Sequence, residues 1–177
     1  MKEILYFSGS NSPSSVNQAL VSYLSDLPAL AGLLINLTDF DLPIYRVTTQ
    51  LQNPPAKLAE LKKIIDMHEA IVIAVPVHNG SVTAFFKNAL DWVSRADKEY
   101  RAFQNKKIVL LSASPGGGCK NALDHSATIL EILGGAVQAK IPITRHYTRV
   151  AFKDGKLAIN DENLLKEITT AIITLKN

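Results

Sequence analysis

Ala70-Ile71-Val72-Ile73-Ala74-Val75 runs without a polar residue into Pro76-Val77-His78-Asn79-Gly80-Ser81 and then into Val82-Thr83-Ala84-Phe85-Phe86-Lys87-Asn88-Ala89-Leu90-Asp91-Trp92. A short, near-continuous apolar run is the mark of a strand covered on both faces, as in a parallel sheet. The polar turn stops it. Phe86, Ala89, Leu90 and Val93 then recur at helical spacing, which predicts a helix over roughly 83–94. Lys87, Asp91 and Arg95 sit four apart on another face of it, in position for ion-pair support. Strand, loop and helix in this order form the repeating unit of an open α/β sheet. Such sheets place ligands at loops leaving the carboxyl ends of their strands.

The same unit recurs on both sides. Ile4 to Phe7 reads as a buried strand ending at Ser8-Gly9-Ser10-Asn11-Ser12-Pro13-Ser14-Ser15. Val16, Leu20, Tyr23, Leu24 and Leu27 follow at helical spacing, with Ser14 or Ser15 as the N-cap candidate. Gly32 to Leu37 is expected as a second strand, and 38–53 as a long irregular connection containing Asp41-Leu42-Pro43-Ile44-Tyr45. Pro54-Pro55 opens a helix whose inner face is Leu58, Leu61, Ile64, Ile65 and Met67. Ile108 to Leu111 reads as a strand stopped by Ser112-Ala113-Ser114-Pro115-Gly116-Gly117-Gly118, and the helix after it ends at Gly134-Gly135. Ala136 to Ile143 is the fifth strand, Val150 to Ile159 a hairpin turning at Asp154-Gly155, and 163–175 a closing helix. Strands alternating with helices imply a parallel sheet between two helical layers. Periodicity leaves Rossmann-like and flavodoxin-like strand orders both open.

The loops after the first, third and fourth strands carry the polar groups. In the flavodoxin-like order these strands are neighbours, and the topological switch falls between the first and third. The first loop runs into a helix N-terminus, where free amides and the positive dipole end suit a phosphate. Ser10, Ser12 and Ser15 add hydroxyls there, and Asn17 an amide. The loop equally reads as a plain turn and cap. Gly-x-Gly-x-x-Gly is absent, and Gly116-Gly117-Gly118-Cys119-Lys120 lacks P-loop spacing, so neither a dinucleotide fingerprint nor an ATPase is indicated.

Set side by side, these loops resemble the NADPH-dependent FMN reductase family, which includes bacterial quinone, chromate and azo-dye reductases. Its first signature, approximately G-S-x-R-x-x-S-x-N, is met by Gly9-Ser10-Asn11-Ser12-Pro13-Ser14-Ser15-Val16-Asn17. Its second, P-E-Y-N-x-S-x-P-G-x-L-K-N-A-I-D-W, is matched at Pro76, Asn79, Ser81, Lys87, Asn88, Ala89, Asp91 and Trp92. Leu42-Pro43-Ile44-Tyr45 and Ser112 to Gly118 add weaker matches. The resemblance implies a flavodoxin-like three-layer sandwich over 1–177 as one domain, with a five-stranded parallel sheet in the order 2-1-3-4-5. It implies FMN as cofactor and NADPH or NADH as reductant, with hydride passed through FMN to a quinone, free flavin, azo compound or metal oxyanion. Ser10, Ser12, Ser15, Val16 and Asn17 would surround the FMN phosphate. Pro76, Val77, His78 and Asn79 would line the ring, and Ser112, Ser114 and Gly117 its other edge. Such a reaction asks for no catalytic side chain, because the cofactor carries the chemistry. A homodimer or homotetramer is implied as well. Ser12 stands where the family often has arginine, His78 where it has tyrosine, and Thr83-Ala84 where it has Pro-Gly. These departures keep two alternatives open: a non-catalytic FMN electron carrier, and a flavodoxin-like binding protein that has lost FMN.

The rest of the chain narrows the class. A length of 177 residues, 47% hydrophobic and 20% charged, suits an ordinary globular protein. A net charge of +3 from scattered basic residues argues against a nucleic-acid footprint and mildly favours an anionic small molecule. One cysteine, Cys119, excludes an intramolecular disulfide and suits a reducing compartment. With no evident signal peptide or membrane span, a cytoplasmic protein is expected. His68, His125 and His146 lack metal-ligand spacing and are expected at the surface or helix ends. Cys119 is expected as a small packed residue, Phe86 as core, and Asp39 and Asp41 as solvated turn residues. Trp92 could be core or partner surface.

Overall fold

A computed structural model describes residues 3–40 and 42–176. Five parallel strands, β1 (Ile4–Ser8), β2 (Gly32–Leu34), β3 (Ala70–Ala74), β4 (Lys107–Ser114) and β5 (Ala136–Thr144), form one sheet in the order β2-β1-β3-β4-β5. Their order is the flavodoxin-like one. Ile4 and Ile71 to Ala74 register against their neighbours so that β1 and β3 end together, Ser8 opposite Ala74. The helices are α1 (Val16–Ser25), α2 (Val47–Gln52), α3 (Ala56–Met67), α4 (Ala84–Arg95), α5 (Cys119–Ile132) and α6 (Glu162–Thr174). The hairpin β6 (Val150–Lys153) and β7 (Lys156–Ile159) turns at Asp154-Gly155, both with positive φ, as the sequence predicts.

Alternation along the central strands feeds two cores. Leu5, Phe7, Ile71, Ile73, Ile108 and Leu110 pack against α3, α4 and α5. Ile4, Tyr6, Val72, Val109 and Leu111 pack against α1, α6 and the hairpin. The polar exception, the Tyr6 hydroxyl, donates to the Leu30 carbonyl at 2.7 Å, and burial pushes its pKa up. α1 starts where Ser15 accepts from the Gln18 amide, which selects Ser15 over Ser14 as the cap.

Four expectations are corrected. β2 stops at Leu34 rather than Leu37, because Asn36 turns the chain: its side chain accepts from the Thr38 amide and its carbonyl from that of Asp39. Leu37–Phe40 is accordingly a 3-10 helix, and the connection expected as irregular also contains α2. Asp39 is exposed, while Asp41 lies outside the described residues. Met67 is 71% exposed and does not join the inner face of α3. β4 continues through Ser112, Ala113 and Ser114, since β5 extends alongside it to pair Ser114 with Thr144.

Candidate flavin crevice

Loops 9–15, 76–83 and 115–118 leave β1, β3 and β4 at one edge of the sheet. They are bound to each other as well as to their strands. The Gly9 amide donates to the Ala74 carbonyl, and the Thr83 hydroxyl donates to the Gly9 carbonyl at 2.8 Å. That same hydroxyl accepts from the Phe86 amide and caps α4. Gly9 is required sterically: a Cβ there would lie 2.7 Å from the Phe86 ring. Gly118, with φ 88°, starts α5 close enough to Val77 that a Cβ would approach it to 3.0 Å.

The first loop is a candidate anion cradle. Ser10 Oγ accepts from the Ser12 amide and Ser15 Oγ caps α1, which fixes the curve of the loop. Among the described residues, no hydrogen bond is made by the amides of Ser15, Val16 and Asn17. Unpaired amides at the positive end of a ten-residue helix are what a phosphate needs. Ser12 is exposed, Ser10 and Ser15 are nearly buried, and Val16 is half-buried. No lysine or arginine stands in any of the three loops. Lys120, just beyond the third, is paired with Asp124 at 2.6 Å.

Asn17 lies in the cradle but its amide is engaged. Its Nδ2 donates to the Ala113 carbonyl and its Oδ1 accepts from the Ala113 amide, both at 2.9 Å. Past the end of β3, Asn17 therefore satisfies β4 as another strand would. Only its main-chain amide faces the cradle unspent.

The second loop is a two-residue turn. His78 and Ser81 exchange both main-chain hydrogen bonds, at 3.0 and 2.9 Å, across Asn79 (φ 50°) and Gly80 (φ 74°). Two successive left-handed residues define the turn that Asn-Gly favours. Pro76 is buried, Val77 half-buried, and His78 and Asn79 project to solvent. The Asn79 and Gly80 amides have no partner among the described residues. Ser81 Oγ meets His125 Nδ1 of α5 at 2.8 Å.

On the third side, Ser114 Oγ accepts from the Gly116 amide, and Gly116 and Gly117 face open space. Ser112 is wholly buried within β4, and its hydroxyl has no partner among the described residues. Thus Ser12, Val16, Val77, His78, Asn79 and Gly117 are exposed or half-buried at the lip, Ser10, Ser15 and Ser114 are buried just behind it, and Ser112 and Pro76 lie beneath. Sequence reasoning missed Gly9, Thr83 and the Ser81–His125 contact. The Asn-Gly dipeptide and a cap-forming threonine were the available signals for the second loop; nothing local announced His125.

Much of the α4 motif does another job. Asn88 donates to the carbonyls of Leu42 and Pro43 and accepts from the Tyr45 amide, and Trp92 Nε1 donates to the Pro43 carbonyl at 2.6 Å. Trp92 is fully buried and meets the Tyr45 ring edge-on. Lys87 pairs with Asp91. Arg95 instead stacks over Tyr100. The sequence matches at 42–45 and 87–92 are therefore one packed unit.

The family described as NADPH-dependent FMN reductase matches residues 2–148. The chain belongs to that family. Like its family, it is an oxidoreductase, with FMN and NAD(P)H as the cofactor and reductant of the group. An uncharacterized protein of Mycoplasma pneumoniae is 32% identical over 148 residues, 81% of this chain and 87% of that one. A quinone reductase of Pseudomonas putida is 30% identical over 129 residues, 70% of this chain and 68% of its own. Among solved structures, the NAD(P)H:(acceptor) oxidoreductase FerB of Paracoccus denitrificans superposes with a TM-score of 0.78 at 23% identity, covering 99% of this chain and 95% of that one. At that identity the likeness is one of fold. For this FMN reductase family member, the match ends before the hairpin and α6.

The residues present fit FMN. Unpaired amides and nearby serine hydroxyls at the start of α1 suit a phosphate. Glycines with open space before them border the far side. Among the described residues, no three histidine, cysteine or acidic side chains gather as a metal site, and no helix is long and apolar enough to cross a membrane. Cys119 is buried in the first turn of α5, and His68 is buried at the end of α3.

Proposed function

We propose that the protein, as one domain, binds FMN in this crevice and uses NAD(P)H to reduce a small two-electron acceptor, a quinone in the first instance. The observation that supports it most is the cradle of unpaired amides at the start of α1, facing the turn 78–81 and the glycines 116–117. Bound flavin supplies the redox chemistry, accepting hydride from NAD(P)H and returning two electrons to the acceptor, with protons exchanged with solvent.

The chain's own residues do the holding. Ser10, Ser12, Ser15 and the amides of 15–17 bind the phosphate, with Val16 closing the first turn. Val77 and Asn79 offer main-chain groups to the ring over Pro76, His78 closes the turn that carries them, and Ser114 and Gly117 border the ring's other edge. The Asn17 side chain acts beneath, by holding β4 in place, and Ser112 is buried within that strand. Because the loops are open to solvent, reductant and acceptor use one face in turn, which predicts ping-pong kinetics. The quinone reductase relative supports the acceptor class.

A dimer built on the α2–α3 side suits the exposed Ile44, Val47, Leu51 and Met67, and the lone buried cysteine suits the cytoplasm. Light scattering checks the first point. For the function, the apoprotein is loaded with FMN and desalted, then reduced anaerobically with NADPH and reoxidised with a quinone. Retained yellow colour, bleaching, and parallel double-reciprocal lines are expected. A colourless protein, or a flavin that stays yellow until a separate reductase is added, refutes the proposal.

A further inference from the structure

We propose that His125 of α5 is a positioning residue that sets the orientation of the turn 78–81. The inference rests on the flavin-crevice reading and extends it to a residue of α5 seven positions beyond Gly118, the end of the third loop. The internal hydrogen bonds of the turn join only His78 to Ser81, so they hold its shape and not its direction. Direction must come from contacts outside it. Val82 packs on the core and Thr83 is bonded to Gly9, which fixes the chain where it leaves the turn. The turn itself is met from outside by the start of α5, where Gly118 lies against Val77 and Gly80, and by His125, whose Nδ1 is hydrogen-bonded to Ser81 Oγ at 2.8 Å. Gly118, Ala122 and His125 follow each other at helical spacing, so the first two turns of α5 form one shelf under the turn. Packing at Val77 supports the near end of the turn, and His125 ties down the far end.

The consequence reaches the tip. Asn79 and Gly80, whose amides are unspent, stand between the packed end and the tied end. With the tie removed, the tip keeps only its packing against Gly118, and the groups offered to a flavin ring lose part of their fixed aim. His125 is exposed, so its removal leaves the core intact. Asparagine is the conservative replacement, because its side-chain amide reaches the position of Nδ1.

Three variants test this: His125→Ala, His125→Asn and Ser81→Ala. In the apoprotein, backbone order parameters at Asn79 and Gly80 should fall in His125→Ala and Ser81→Ala, with the melting temperature unchanged, and return toward wild type in His125→Asn. FMN titrated against each should bind about fivefold more weakly in the two alanine variants, the loss expected of one hydrogen bond. The double variant should lose no more than either single one. Order parameters and FMN affinity unchanged in His125→Ala overturn the assignment, as does an asparagine variant that behaves like alanine. A wild-type protein that does not bind FMN defeats the crevice reading instead, and the order parameters still decide whether the tie orients the turn.

Discussion

Replacing Asn17 with alanine separates two roles that the family motif merges, contact with a phosphate and support of the sheet. The side chain makes two 2.9 Å hydrogen bonds to the main chain of Ala113, a residue 96 positions away on a buried strand. Alanine would leave that N–H and that C=O without partners. Each buried unpaired group costs about 1–3 kcal/mol, and water entering the vacated space recovers part, which sets the loss near 2–4 kcal/mol. For a chain of this size the melting temperature should then fall by about 5–15 °C. The measurement is thermal and urea unfolding of the apoprotein, where no phosphate is present to be lost. Aspartate at this position sharpens the test. It keeps the acceptor for the Ala113 amide but sets a carboxylate against the carbonyl. The folded state then holds the carboxyl proton more tightly than the unfolded one, so stability returns as pH falls into the carboxylate range. An apoprotein whose melting is unchanged by Asn17→Ala, while FMN retention drops, would refute the structural role.

Three further outcomes follow from the loop contacts. Gly9→Ala places a Cβ 2.7 Å from the buried Phe86 ring and should cost about 1–3 kcal/mol by overpacking, read by urea unfolding. Thr83→Val removes the α4 cap and the bond to Gly9 and should cost about 1–2 kcal/mol, whereas Thr83→Ser should retain most of the stability. The Lys120 ammonium, and then that of Lys140, holds the exposed Asp124 carboxyl at about 2. Its folded pKa is lowered, so its contribution is present above the ordinary carboxylate range and lost as pH falls through about 2. Lys120→Gln with Lys140→Gln should return the Asp124 titration to roughly 4, followed by carboxyl NMR.

The sequence was most legible where one segment sufficed to determine its own state. The run 70–75 can only be a buried strand, and Ser15, Pro55 and Asp154-Gly155 mark their boundaries by local chemistry. It was less legible where a neighbour overrode local composition. Ser112 to Ser114 reads as a loop from its serines, yet β5 and the Asn17 side chain extend the ladder over it. Trp92 has the spacing of core and the chemistry of an interface. Its indole N–H was committed by the Pro43 carbonyl, which no helical pattern can show. Thr83 reads as a departure from a Pro-Gly motif and turns out to cap a helix and join two loops.

By itself the sequence determined that strands alternate with helices and that three polar loops follow three of the strands. The physical reason is that burial periodicity, capping and turn formation act over a few residues. Through its motifs it also pointed to the family. Only the tertiary structure decided how those loops share their polar groups: which amides of 15–17 stay unspent, why Asn17 is held by β4, and how Ser81 comes to rest on His125. Those outcomes depend on hydrogen-bond partners 44 to 96 residues apart. Partners at such distances are chosen by packing and strand order, which the residues on either side of a loop do not encode.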